Sequence, residues 1–87
     1  MNMQKTEADS DPVGKFIPTT VRKRMALLSG IVAELNRRKF KRLDETRRED
    51  LLRVVTIVWG MHPESNYNKC REYATVAIRL WRKQRNQ

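Results

Sequence analysis

The segment Leu51-Leu52-Arg53-Val54-Val55-Thr56-Ile57-Val58-Trp59 does most to decide what this chain can fold into. Its β-branched and aromatic residues favour strands, but a half-buried strand would alternate polar and apolar positions. The interruptions fall instead at Arg53, Thr56 and Gly60, offsets of i, i+3 and i+7 that make one stripe of a helix. Just ahead of the run, Thr46 and Glu49 have the spacing of a capping box, in which each side chain satisfies the other residue's free N–H. A helix is therefore expected here. Its wide apolar surface predicts the most buried helix of the molecule.

Two further helices follow from spacing. Val21, Met25, Leu28, Val32 and Leu35 recur at steps of four and three, and Leu27 and Ile31 widen their face, so a first helix is predicted from Thr20 to Lys39 with Thr19 or Thr20 as N-cap. Gly30 within it costs about 1 kcal/mol relative to Ala, which either a close helix crossing or tolerance alone would explain. Gly60, Met61, His62 and Pro63 end the second helix, and Ser65 or Asn66 caps a third. Cys70, Tyr73, Ala74, Ala77, Leu80 and Trp81 form its predicted inner face, flanked by Val76 and Ile78. Trp59, Tyr73 and Trp81 fit the core periodicity, and Lys41–Glu45 offers room for a short fourth helix.

The expected architecture is all-α, a small three-helix bundle preceded by a disordered N-terminal arm. Residues 1–18 read as a flexible, slightly acidic arm: no apolar period, three acids against two bases, and breaks at Pro12, Gly14 and Pro18. Phe16 and Ile17 are candidates to pin it to the core. Residues 19–87 read as the basic helical domain. At 87 residues the chain has one domain and one modest core.

Several functions are excluded by residue type. Cys70 is the sole cysteine and His62 the sole histidine, so one chain can build neither a Cys/His zinc site nor an intrachain disulfide. No metal and no cofactor is expected. The apolar run ending at Trp59 is far shorter than the roughly 20 residues of a membrane span. Asn2 stands where N-myristoylation needs glycine, and no apolar signal region follows. The expectation is a soluble intracellular protein, cytoplasmic or nuclear. Enzyme activity is not expected: the chain has no Gly-rich phosphate loop, no nucleophile–base pair with an orienting partner and no acid dyad. Asp44, Glu45, Glu49 and Asp50 read as acids at a helix start, where the helix dipole favours them.

Charge placement is the strongest functional signal. The net charge is +9, with 19 bases against 10 acids, and twelve of the bases are Arg. Because the arm is slightly acidic, residues 19–87 hold seventeen bases and seven acids, a surplus of ten. Arg37, Arg38, Lys39, Lys41, Arg42, Arg47 and Arg48 crowd into twelve residues, opposed there by Asp44 and Glu45 alone. Arg22, Lys23 and Arg24 open the first helix, while Arg82, Lys83 and Arg85 close the third, just beyond Arg79. Guanidinium groups suit phosphate bidentately, and clustered bases gain affinity by releasing a polyanion's counterions. These clusters are the candidate phosphate-binding residues; a merely solvated basic surface is the plainer alternative.

Asn66, Asn68, Lys69 and Arg71, with Ser65, are the candidates for base contacts if the second and third helices form a helix-turn-helix. The spacing opposes that motif: Pro63 falls at the entry to the reader helix, and Asn66 and Lys69 occupy positions that should be apolar. Tyr67 and Phe40 lie near bases and could stack on nucleobases, although packing at helix ends explains them more simply. His62 reads as a turn residue and Cys70 as a small buried hydrophobe.

Two short likenesses are visible. Ala77-Ile78-Arg79-Leu80-Trp81-Arg82-Lys83 resembles the last helix of the N-terminal domains of transcription elongation factors. The stretch from Arg47-Arg48 to Glu72-Tyr73 is similar in rhythm to the second and third helices of a KIX domain. Each covers less than half of the chain and carries no functional residue over.

The leading expectation is a non-enzymatic protein that binds DNA or RNA through its basic clusters in a regulatory or packaging role. The alternative is a transcription-related interaction module whose helical groove takes an acidic amphipathic partner helix. The apolar breadth of the second helix also leaves a homodimer open. An anionic membrane surface is the weakest candidate partner.

Overall fold

The computed structural model describes residues 19–86, which form an all-α bundle of three helices. These are α1 (Thr19–Arg37), α2 (Arg48–Met61) and α3 (Tyr67–Arg85). The arm expected over residues 1–18, with Phe16 and Ile17, lies outside the described residues. α1 and α3 run in the same direction, tied near their starts by Arg24 and Glu72. α2 runs opposite to both, so the far end of α3 returns to the segment preceding α2, where Arg79 and Arg82 meet Glu45 and Arg85 meets the Lys41 carbonyl. The α2–α3 pair is thus antiparallel.

The core contains Ile31, Val32 and Leu35 of α1, Leu43 of the linker, five residues of α2 and five of α3. The α2 contribution is Leu51, Val54, Val55, Ile57 and Val58, which settles this segment as a helix buried along one side. Five buried residues in fourteen make α2 the most densely buried helix, as expected. The central helix is nevertheless α3, which packs against both neighbours, whereas α1 touches α2 only sparingly. Ala74 and Ala77, both fully buried, give α3 a low profile that lets helices close on it from two sides. Each fully buried Ile, Val or Leu contributes roughly 1.5–3 kcal/mol relative to an exposed side chain.

Three core expectations need correction. Val21 and Met25 are 42% and 55% exposed, because the first two turns of α1 run past the end of the core. Trp59 is 45% exposed, although Val58 beside it is fully buried. Leu80 is likewise exposed while Ile78 is fully buried, so the inner face of α3 is rotated toward α2. Leu27, Leu28, Phe40 and Tyr73 pack around the core as partly buried residues.

The helix ends also differ from expectation. Thr19 and Thr20 lie inside α1 rather than at its N-cap. α1 stops at Arg37, and Lys39 takes φ 59°, the left-handed conformation that commonly closes a helix. No capping box starts α2: Thr46 gives its hydroxyl hydrogen and its N–H to Asp44, Glu49 pairs with Arg47, and the N-cap position is Arg47. Asp50 meanwhile accepts the Asp44 N–H. These side-chain bonds to the backbone compete with helix formation, and residues 41–45 accordingly form no fourth helix. Asn66 caps α3 as expected, its Oδ1 accepting the Lys69 N–H at 2.8 Å.

Candidate functional site

Each of the seven acids among the described residues has an intramolecular partner. Glu34 takes Arg37 and Arg38, one turn on along α1, and these two guanidinium groups hold its carboxyl at about 2, well below the usual range. Glu72 bridges Arg24 and Lys69, and Arg24 above all lowers its pKa. Asp44 is lowered chiefly by the Thr46 hydroxyl and N–H, with Arg82 adding to the effect. Burial pushes Glu45 upward, but its backbone hydrogen bond and the Arg82 and Arg79 guanidinium groups outweigh that and leave it lowered. Glu49 pairs with Arg47, Asp50 accepts the Asp44 N–H, and Glu64 faces His62 Nδ1 at 3.3 Å.

The expected phosphate-binding residues therefore divide. Arg24, Arg37, Arg38, Arg47 and Arg82 are held by acids, although exposed pairs of this kind are worth only about 0–1 kcal/mol and exchange readily. Arg82 is the most committed, since its carboxylate partner Glu45 is only 14% exposed. Arg85 lies over the buried Trp81 ring at 4.6 Å and donates to the Lys41 carbonyl. Lys23, Lys39, Lys41, Arg42, Arg48 and Lys83 are exposed and have no acid partner among the described residues. Arg22 is exposed beside Lys23. The linker bases thus survive folding as a charged surface.

The candidates for base contacts divide in the same way. Asn66 is used as the α3 cap and Lys69 faces Glu72. Asn68 and Arg71 are exposed, and neither side chain has a polar or charged partner among the described residues, the Thr75 hydroxyl donating only to the Arg71 carbonyl. Arg71 lines a furrow of about 470 Å³ between α2 and α3, together with Glu45, Thr46, Arg48, Leu52 and Tyr67. Leu52 and Tyr67 are 37% and 49% exposed there. A second hollow of similar volume lies between the starts of α1 and α3, lined by Lys23, Arg24, His62, Lys69 and Tyr73.

The structure separates the aromatic residues that the sequence left together. Phe40 lies under Arg53, Trp81 under Arg85, and Tyr73 under Arg24 with His62 against its edge. Tyr67 and Trp59 have no ring or cation partner among the described residues. Sequence reasoning placed Tyr67 at a helix end but could not see that α2 leaves its ring uncovered. It also read Glu45 as a dipole acid, whereas the side chain reaches across to α3; pairings 34 and 37 positions apart carry no local signal.

Cys70 is fully buried, and burial pushes its thiol pKa up, which favours the neutral thiol over the thiolate. Among the described residues there is no metal-ligating cluster and no helix long and apolar enough to cross a membrane. Comparison with protein-family models, curated proteins and solved structures gives no match to this chain.

Proposed function

We propose that this protein binds nucleic acid without catalysing a reaction on it, gripping phosphates through the linker between α1 and α2 and through the neighbouring helix ends. One observation carries the reading: the acids of the described residues are consumed internally, while Lys39, Lys41, Arg42 and Arg48 stay exposed and unpaired. A surface made only for solubility gains nothing from such segregation, because interspersed charges of both signs serve that purpose. A polyanion gains directly, since each neutralised phosphate releases condensed counterions. Arg37, Arg38 and Arg47 extend the footprint when phosphate displaces their weak carboxylate partners. A regulatory or packaging role fits a basic module of this size.

The test is a titration of the whole chain against duplex DNA, single strands and structured RNA over a range of salt. Affinity is expected to fall linearly on a log–log plot, with a slope near −0.9 per phosphate contact on duplex DNA. Replacing Lys41 and Arg42 by Ala should weaken binding and flatten that slope by up to about two. Absence of binding at low salt refutes the reading.

A further inference from the structure

We propose that the furrow between α2 and α3 takes single-stranded nucleic acid, with a base stacked on Tyr67 and the adjoining phosphates held by Arg48 and Arg71. The inference rests on the nucleic-acid reading above and adds to it the form of the ligand and the place where it lies.

Three features of the furrow converge. Its two arginines come from different helices, line one cavity and have no acid partner among the described residues. The one carboxylate in its lining, Glu45, is occupied by Arg79 and Arg82 and so offers little repulsion to a phosphate. Tyr67 is half exposed, with no ring or cation partner, while Phe40, Tyr73 and Trp81 are each covered by an arginine. Arg71 follows Tyr67 by one helical turn, so the two side chains share one face of α3. A cavity of about 470 Å³ lies within the range that holds one small ligand unit.

Duplex fits this arrangement poorly. Its bases already stack on one another, and freeing one costs several kcal/mol. A phosphate-only contact would also leave Tyr67 and Leu52 facing water. A single strand presents a base face and its own phosphates within reach of one another, the combination that stacking platforms exploit without sequence preference.

The experiment compares an oligothymidylate, an oligouridylate and a duplex of equal length by fluorescence anisotropy at several salt concentrations. The proteins are the full chain, Tyr67→Ala, Tyr67→Phe, Arg71→Ala and a Lys41→Ala/Arg42→Ala double variant, each checked for helicity. Tyr67→Ala is expected to lose about 5- to 100-fold on single strands and to leave duplex affinity unchanged, whereas Tyr67→Phe retains binding. Arg71→Ala should flatten the single-strand salt slope by about 0.7. Unchanged single-strand affinity in Tyr67→Ala overturns the proposal. Equal binding to duplex and single strand, weakened only by the linker variant, overturns it while leaving the phosphate reading intact. No binding to any polynucleotide at low salt overturns both. An acidic amphipathic peptide that binds where oligonucleotides do not, and is released by Tyr67→Ala, assigns the furrow to a protein partner instead.

Discussion

Glu45 and Arg82 stand 37 positions apart in sequence, yet Arg82 Nη1 donates to Glu45 Oε1 at 3.0 Å, and Arg79 reaches the same carboxylate at 3.3 Å. The pair fastens the end of α3 to the turn before α2. Because the Glu45 side chain is only 14% exposed, solvent screens this contact less than the other ion pairs.

Glu45→Ala should lower the unfolding free energy by about 1–2 kcal/mol, the scale of lost charge-assisted hydrogen bonds. Urea unfolding measures this directly. A double-mutant cycle with Arg82→Ala should give a coupling of about 0.5–2 kcal/mol, and the same cycle with Lys23→Ala should give none.

Gly30→Ala should stabilise the protein by about 1 kcal/mol, the difference in helix propensity. A β-carbon there meets only the terminal methyl of Met61, at 3.5 Å, an ordinary contact with a flexible side chain. The close crossing that would have demanded glycine is absent at this position. A fall in denaturation midpoint would show that α1 and α2 pack more tightly than this geometry allows.

Lys39 adopts φ 59°, and a left-handed residue with a β-carbon costs roughly 1–2 kcal/mol. Lys39→Gly relieves that strain but adds freedom to the unfolded chain, for a net gain of about 0.5–1 kcal/mol. The same change removes one cation from the linker. Thermal unfolding should therefore shift upward while the salt slope of duplex binding becomes shallower by about 0.9.

Acid should destabilise the fold through its carboxylates. Glu34, Asp44, Glu45 and Glu72 all have lowered pKa values in the folded protein. A lowered carboxylate contributes stability above its unfolded pKa and loses it as pH falls through the folded value. For Glu34 that window runs from 4.5 down to about 2. Stability should hold from neutral pH to about 5 and decline below it, with Glu34→Gln removing part of the slope. A chain whose stability rises on acidification contradicts this assignment.

The fold was legible wherever the local pattern of residues was enough. Arg53, Thr56 and Gly60 marked the outer stripe of α2 despite its β-forming composition, and Asn66 was a cap with little local competition. Periodicity gives the face of a helix only approximately and not how far its neighbours extend: the core ends short of Val21 and Met25, and the buried face of α3 takes Ile78 in place of Leu80. Thr46 had two ways to spend its hydroxyl, and Asp44 took it. In the candidate site, the basic linker was plain from charge alone. Which bases remain unpaired was legible only in part: the i+3 and i+4 spacing of Arg37 and Arg38 from Glu34 can be read locally, whereas the pairing of Glu45 requires the folded hairpin.

The sparse contact between α1 and α2 gives the molecule an order of coming apart. With α3 as the shared support, α1 can lift away while α2 and α3 stay zipped together, held by their common apolar seam and by the Glu45 clamp. Amide exchange should be fastest in the first turns of α1 and slowest around Val54–Val58 and Ala74–Ile78. Arg48, Leu52, Tyr67 and Arg71 all belong to the zipped half. None of the four belongs to α1, so loosening of the first helix would leave the residues that line the furrow in their own two helices.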